Sequence, residues 1–437
     1  MCVPIEIESA GHAKRCIFRC PMPHKLAETR YPGTVDEKMG AEIGAYVWMQ
    51  EHCRDIRIPR LYGFGFSDGR CFTHEEQRPF YVRIARVLRR AVRRCLRYAT
   101  VLSRYVPNPS TSRLPAAHML LEFIGPDIGR MLSNTWDAER EDADKRHNLV
   151  QGLAHLLVSL ARIPQPRIGS FQFNSDCTIS LSNRPLTCSM MLWENAGMPR
   201  TIQRDSTYPC SDPYVMDLIA CQDNMFLSDP NAAYDDEDCR GHMAARSLVR
   251  LLSNRFVRPE HRYGPFLLQL TDVNRSNIYV DRDWNITCLI DLEWICALPV
   301  EAVTVPYWLT GRALNQINET EFSKIQQDFI YAVGVEERKR APIKDGFSLA
   351  GTMVENLHSS ASWLWMAVHS SAMYSLVWKH IYPRFPGMSD RIQAEEILSG
   401  CWREDSTQVA QNKAQELEGY KESLASLFTY QSASLPP

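Results

Sequence analysis

The sequence predicts an α+β protein of two lobes, in which a small antiparallel-sheet lobe precedes a large, mainly helical lobe. The chain has 437 residues, which is enough for two lobes or domains. Short β-type runs cluster near the N-terminus, and helical periodicity dominates after residue 300. We expect the first lobe over residues 1–124, the second over 125–431, and a disordered tail over 432–437.

Composition excludes several classes of protein. Hydrophobic residues make up 45% and charged residues 23% of the chain, as in ordinary globular proteins. The net charge of -2 provides no global field for nucleic acid or membrane. No apolar run approaches the ~18 residues of a membrane span, and we expect no signal peptide. The fourteen cysteines include no CxxC pair, so we expect reduced thiols, no zinc site, and a cytosolic or nuclear location.

The elements of the first lobe follow from local patterns. The β-type runs at residues 5–7 and 16–20 predict a hairpin. Apolar residues recur at helical spacing over 35–53, which predicts a helix. Residues 58–65 are expected to lead into the next strand, and the apolar run 117–124 predicts a strand that enters the connection between the lobes.

An unusual basic segment interrupts this lobe. Residues 82–104 contain eight arginines, and apolar residues alternate with them at a spacing of three or four. This pattern predicts an amphipathic helix with one basic face. Such a helix could contact RNA, acidic lipid or an acidic protein partner, or it could be a solvated helix docked on the lobes. The arginines are Arg83, Arg86, Arg89, Arg90, Arg93, Arg94, Arg97 and Arg104.

Helices are expected to dominate the second lobe. Residues 172–215 are rich in Ser, Thr, Asn and Pro and predict a strand pair with loops. The acidic run 235–238 could recognise a cationic substrate or be a solvated charge run. Amphipathic periodicity predicts helices over 144–163, 242–256, 319–333 and 361–381.

The most informative stretch is residues 265–300. An apolar run, 266–270, predicts a buried strand, and two further β-type runs around a polar turn predict a hairpin. Because the ends of a hairpin lie close together, Asp272 and Asn277 should lie near Asp291.

These three residues suit phosphoryl transfer from ATP. One carboxylate, Asp272, would orient a hydroxyl nucleophile and accept its proton. An amide, Asn277, and a second carboxylate, Asp291, would hold the Mg²⁺ that bridges the phosphates. The alternative is an Asn/Asp-rich turn beside an ordinary hairpin.

The stretch LTDVNRSN with IDLEW resembles the motif of the aminoglycoside phosphotransferase-like and choline kinase-like phosphotransferase family, in its eukaryotic branch of unknown substrate. The resemblance extends from about Cys16 to about Pro306 and implies a bilobal protein-kinase-like fold that uses ATP and Mg²⁺. It implies that Arg19 holds phosphate and that Glu42 orients Arg19 by an ion pair. Main-chain groups near Glu122 and Phe123 would then pair with the adenine edge. A surface arginine and a solvated glutamate are the alternative roles for Arg19 and Glu42.

The chain departs from the family pattern in two places. Asn274 lies where relatives often have a histidine, and asparagine cannot take up a proton. A kinase-like lobe also needs a strand and a Gly-rich turn before the first hairpin, and Gly11 is a weak substitute, so we expect a truncated lobe.

Two functions are therefore weighed. The first is an ATP-dependent phosphotransferase acting on a hydroxyl of a small molecule. The second is a catalytically impaired, kinase-like binding protein that lacks the Gly-rich lid and works through a protein partner, for which the arginine helix is a docking site. Binding of nucleic acid by that helix is a third and weaker hypothesis, because no aromatic residues interleave on its basic face.

Overall fold

The computed structural model describes residues 1–9, 12–108, 114, 116–340, 347–385, 387 and 390–433. The architecture is α+β, with small antiparallel sheets and many helices, as the sequence predicts. The strands are β1 (Cys2–Ser9), β2 (His12–Arg19), β3 (Leu61–Gly65), β4 (Cys71–His74), β5 (Val101–Leu102), β6 (Tyr105–Pro107), β7 (His118–Glu122), β8 (Arg130–Met131), β9 (Ser170–Phe173), β10 (Thr178–Asn183), β11 (Phe266–Leu270), β12 (Ile278–Val280), β13 (Ile286–Leu289) and β14 (Ile295–Pro299).

The helices alternate with these strands in the first half of the chain and dominate the second half. They are α1 (Thr34–His52), α2 (Phe80–Cys95), α3 (Trp136–Glu139), α4 (Ala143–Ala161), α5 (Cys188–Ala196), α6 (Ser211–Ser228), α7 (Asp236–Phe256), α8 (Glu319–Arg338), α9 (Leu349–Ser359), α10 (Ala361–Val368), α11 (Met373–Leu376), α12 (Arg391–Gly400) and α13 (Ser406–Ala433).

The N-terminal sheet has six antiparallel strands in the order β1-β2-β7-β3-β4-β6. The predicted hairpin is confirmed, since β1 and β2 pair from Cys2 opposite Arg19 to Ser9 opposite His12. The expected turn residue Gly11 lies outside the described residues. Because β7 is the other neighbour of β2, the end of β2 that carries Arg19 lies inside the sheet and not at its edge.

Helix α1 is buried on nearly every side, from Thr34 to Met49. It packs on β9, and the approach is close at Gly44, where an added Cβ would lie 2.5 Å from the Cβ of Phe171. Any side chain at this position would force the helix away from the strand. Glycine thus sets the depth at which α1 lies against the sheet.

The arginine-rich helix differs from its prediction in length and orientation. Helix α2 ends at Cys95, and the short strand β5 lies in the part of the predicted helical stretch that follows it. Two of its arginines, Arg86 and Arg90, face the protein: Arg86 Nη2 donates to the carbonyls of Ser103 and Tyr105 at 2.6 and 2.9 Å, and Arg90 pairs with Glu75. The apolar face is turned outward, with Leu88 61% exposed. Carbonyl and carboxylate acceptors beneath the helix explain this orientation. They bind guanidinium groups, so the surface under the helix is polar and does not favour the apolar face of α2.

The region that carries Asp272, Asn277 and Asp291 is built from two small sheets. Strand β11 pairs with β14 along its full length, and β12 lies between β13 and β8. The predicted β12–β13 hairpin is confirmed. Strand β14, which the sequence analysis missed, fixes the position of the chain that leaves the hairpin.

The helices predicted over 144–163, 242–256 and 319–333 are present as α4, α7 and α8. The stretch predicted as one helix over 361–381 is broken into α10, α11 and a π-helical turn, Val377–Ile381. Helix α5 lies in the segment for which only strands and loops were predicted. Helix α13 extends to Ala433, so the predicted disordered tail is helical at 432–433, and 434–437 lie outside the described residues.

One continuous hydrophobic core runs from α1 and the N-terminal sheet through β11, β14 and α10. A buried ion-pair network ties α1 to α5. Arg184 Nε donates to Glu37 at 2.7 Å, and its Nη2 donates to Glu194 at 3.1 Å. None of the helices traced in the described part of the chain is long and apolar enough to cross a bilayer.

Candidate active site

The loop after β11 is held in shape by its own side chains. Thr271 Oγ1 donates to the carbonyl of Trp294 at 2.7 Å, which fixes the start of the loop against β14. The side-chain amides of Asn274 and Asn277 both donate to the main-chain carbonyl of Asp272, at 3.2 and 3.0 Å. Asn274 also accepts from the amide of Ser276 at 2.9 Å. The asparagine that departs from the family pattern therefore positions the backbone of Asp272.

Asp272 carries a partly buried carboxylate, and no hydrogen-bond donor in the described part of the chain reaches it. Burial, and then the charges of Asp291 and Glu293, raise the pKa of Asp272 to about 6. A carboxylate with this pKa is ionised at neutral pH and still accepts a proton readily. The predicted acid–base residue thus has an environment suited to that task.

Asp291 follows β13 and lies close to the loop. The amide of Ile290 donates to the carbonyl of Asn277 at 2.9 Å, which joins the end of the hairpin to its beginning. Asp291 itself adopts a left-handed backbone conformation, with φ of 61°. The structure therefore brings Asp272, Asn277 and Asp291 together, as the hairpin predicted, and the three line one small cleft.

Arg19 lies at the centre of a carboxylate cluster. Its Nη1 donates to Glu42 at 2.9 Å, which is the ion pair expected from the family resemblance. Its Nη2 donates to Asp291 and to Glu293, each at 2.7 Å. Burial by itself lowers the pKa of Arg19, but the three carboxylates together raise it above its ordinary value. Arg19 is thus a fixed cation that joins β2, α1 and the end of the hairpin.

Two members of this cluster were missed by the sequence analysis. Glu293 comes two residues after Asp291, and Lys38 comes four residues before Glu42 on the same face of α1. Lys38 Nζ donates to Glu42 at 3.1 Å and also forms an ion pair with Glu293. Burial acts to raise the pKa of Glu293, but Lys38 and Arg19 outweigh it and lower that pKa. The spacing of Glu293 from Asp291 and of Lys38 from Glu42 was the signal that the sequence offered. Only the fold brings Glu293 and Lys38 together.

The donor set was compared with what Mg²⁺ requires. No three His, Cys, Asp or Glu side chains in the described ranges are arranged to hold a metal ion. Mg²⁺, however, is commonly bound by one or two protein oxygens together with phosphates and water. Asp291 supplies a carboxylate, and the buried Asn277 uses only its Nδ2 in a hydrogen bond to the protein, so its Oδ1 has no donor among the described residues. These oxygens fit such a partial ligand set.

The two residues expected near the adenine edge lie at the end of β7. The main-chain amide of Glu122 donates to the carbonyl of Arg60 at 2.8 Å, and its carboxylate accepts from Arg57 at 3.1 Å. The ring of Phe123 lies under the guanidinium of Arg15, 4.2 Å away. The Glu122 amide is therefore already used within the protein, and the pairing of other main-chain groups near Glu122 and Phe123 with an adenine edge stays a prediction.

A cavity of about 410 Å³ opens beside Asp272. Its walls come from α4, α5, α10, the β11 loop and the segment after β14. This volume is in the range of sites for small organic ligands. Asp272 lines both this cavity and the cleft that contains Asn277 and Asp291, so it stands between the two spaces.

Comparison with known proteins adds no relative. No family model, no curated protein and no solved structure matches this chain.

Proposed function

We propose that this protein is an ATP-dependent phosphotransferase that moves the γ-phosphate to a hydroxyl group, with a two-lobed, protein-kinase-like arrangement. One observation carries the proposal: the Asp272 carboxylate, whose pKa burial and two nearby carboxylates raise to about 6, lies between the Asn277–Asp291 cleft and an organic-sized cavity. An acid–base group between a phosphate-side cleft and a substrate-side cavity is the arrangement that in-line phosphoryl transfer needs.

Each residue has a defined part in the proposed reaction. Asp272 orients the acceptor hydroxyl and takes its proton as the oxygen bonds to the γ-phosphorus. The bond from that phosphorus to the β–γ bridging oxygen breaks, and ADP leaves with the electron pair. Asn277 and Asp291 would hold Mg²⁺, which neutralises phosphate charge when bound.

Arg19 would serve the phosphates of the nucleotide. A guanidinium offers a planar pair of donors to phosphate oxygens, and Glu42 holds the Nη1 of Arg19 at 2.9 Å. Nucleotide and metal would have to take over the contacts that Arg19 makes with Asp291 and Glu293. The fourteen cysteines are free thiols, and we place the reaction in a reducing compartment of the cell, cytoplasmic or nuclear.

A second candidate function has an observation in its favour. Because Arg19 neutralises Asp291 and Glu293 directly, the cluster is stable without a metal. A kinase-like binding protein that no longer uses ATP would have this arrangement.

Thermal unfolding with and without ATP and Mg²⁺ distinguishes the two functions. For a phosphotransferase, we expect ATP with Mg²⁺ to raise the unfolding temperature of the natural chain and of Asp272→Asn, but not of Asp291→Asn. Asp405→Asn removes an exposed carboxylate far along the chain and should respond like the natural protein. Absence of any shift with ATP and Mg²⁺ in the natural chain would favour the binding protein.

A further inference from the structure

The cavity beside Asp272 carries information about the acceptor. We propose that it takes an uncharged, largely apolar alcohol, and this inference rests on the proposed function. Leucines contribute much of its apolar lining. They include Leu153, Leu156, Leu157 and Leu160 of α4, Leu192 of α5, and Leu314, which precedes α8.

Charge in the cavity is sparse. Among the described residues that line it, Asp272 is the single carboxylate, and no lysine or arginine is present. Burial lowers the pKa of His369, whose ring is also hydrogen-bonded to Tyr214 and to the carbonyl of Trp365. A polycationic acceptor would need several carboxylates, and an anionic one would need a cation. An uncharged acceptor meets neither penalty.

Binding can be measured without nucleotide, through the tryptophan fluorescence of the full chain. We expect titration with 2-decanone and 1-decanol to change the emission with saturation, and choline and kanamycin to leave it unchanged. Leu192 is exposed and lines the cavity, so Leu192→Glu should fold and weaken decanol binding at least about tenfold. Leu251→Glu, at an equally exposed leucine of α7 outside the cavity, is the matched control.

The outcomes separate this inference from the proposed function. Saturable decanol binding that Leu192→Glu weakens, together with no ATP-dependent phosphorylation of any alcohol, would refute the phosphotransferase and leave the ligand class standing. Binding of choline or kanamycin with no response to decanol would overturn the ligand class. Equal decanol binding by Leu192→Glu and the natural protein would overturn the location.

A different element carries a second inference. The outward face of α2 is an uninterrupted apolar surface, on which the exposed side chains are Phe80, Tyr81, Ile84, Val87, Leu88 and Val92. An exposed apolar face of this kind marks an interaction site. Because the buried face of the same helix is held by Arg86 and Arg90, the apolar face has no role in attaching the helix.

Charges around this face identify its partner. At 3.6 residues per turn, Arg89 lies along one border of the face and Arg83 and Arg94 lie along the other, and all three are exposed. No Asp or Glu occurs between Glu76 and Glu122. We infer that α2 docks on an anionic lipid surface, with its apolar residues among the acyl chains and these arginines at the phosphates. A second copy of the helix would bring like charges together.

Sedimentation with vesicles tests this docking in the full-length protein. We expect it to sediment with phosphatidylcholine vesicles that contain phosphatidylserine, less with phosphatidylcholine alone, and less as salt rises. Leu88→Glu should abolish sedimentation, and Leu251→Glu should leave it intact. Failure to bind phosphatidylserine vesicles would overturn the inference, as would a dimer in solution that Leu88→Glu dissociates or binding retained by Leu88→Glu.

Discussion

Arg19 Nη2 lies 2.7 Å from Asp291 Oδ1, so the cation expected to hold phosphate and the carboxylate expected to hold metal are bound to each other. Arg19 is suited to bind phosphate and Asp291 is suited to bind a metal ion, but in the structure each of these side chains binds the other. In the proposed function, binding of a metal nucleotide would have to exchange this ion pair for two others, Arg19 with phosphate and Asp291 with Mg²⁺. The free energy needed to break this ion pair would lower the affinity of the protein for such a ligand.

Removal of the Arg19 cation should make the protein respond to a divalent metal alone. In Arg19→Met, Glu42, Asp291 and Glu293 lose their shared partner, and their mutual repulsion lowers stability. Mg²⁺ or Mn²⁺ without nucleotide should restore part of the lost stability, because a metal ion can occupy the place of the guanidinium among the three carboxylates. Differential scanning fluorimetry with and without metal measures this.

The matched control is Arg403→Met, which removes an exposed arginine paired with Asp405. It should change the unfolding temperature little and show no response to metal. If Arg19→Met and the natural protein respond equally to Mg²⁺, Arg19 does not compete with a metal at Asp291.

The raised pKa of Asp272 should be visible in stability. In the folded protein the Asp272 carboxyl keeps its proton up to pH of about 6, whereas an aspartate in the unfolded chain loses its proton near pH 3.8. Below pH of about 4, the Asp272 carboxyl is protonated in both the folded and the unfolded state. As the pH rises above about 4, the carboxyl ionises first in the unfolded chain. The folded state therefore loses stability until the pH passes the folded pKa of about 6. Asp272→Asn should therefore be more stable than the natural protein near neutral pH, by about 1 kcal/mol after allowance for partial exposure.

Urea denaturation at two pH values checks the sign of this effect. The advantage of Asp272→Asn should disappear below pH of about 4, while any phosphoryl transfer is lost at every pH. A variant less stable than the natural protein near neutral pH would show that Asp272 is a structural carboxylate and not a group kept in an unfavourable place for chemistry.

The buried network on Arg184 should support the position of α1. Arg184 is fully buried, and Arg184→Met leaves Glu37 and Glu194 with fewer partners, although Arg204 and Arg200 still reach them. We expect a loss of about 3 kcal/mol in the free energy of unfolding, measured by urea denaturation. Lys421→Met, which removes one partner of an exposed ion pair with Glu418, should cost less than about 0.5 kcal/mol. Similar values for the two variants would contradict a supporting role.

Local patterns predicted the parts of the site that the chain makes from neighbouring residues. The β12–β13 hairpin and the approach of Asn277 to Asp291 follow from turn residues and apolar runs over a short stretch. The pairing of Arg19 with Glu42 came from a family resemblance. Glu293 and Lys38 were missed because their ion pair joins α1 to a strand end some 250 positions later, a distance at which residue spacing carries no information.

The orientation of α2 shows where sequence patterns mislead. Amphipathic spacing predicted the helix correctly, but the pattern alone does not say which face is buried. Here the acceptors beneath the helix, Glu75 and the carbonyls of Ser103 and Tyr105, select the arginine face. Similarly, β14 was missed because its five buried residues follow the hairpin without a turn signal.

The left-handed backbone at Asp291 has a practical consequence for mutagenesis. With φ of 61°, the position suits aspartate, asparagine and glycine, whose conformational preferences tolerate this region. Alanine there would remove the carboxylate and strain the main chain at the same time, so the resulting loss of binding would have two causes. Asparagine keeps the backbone and deletes one negative charge. For this residue, the usual alanine scan is therefore the less informative experiment.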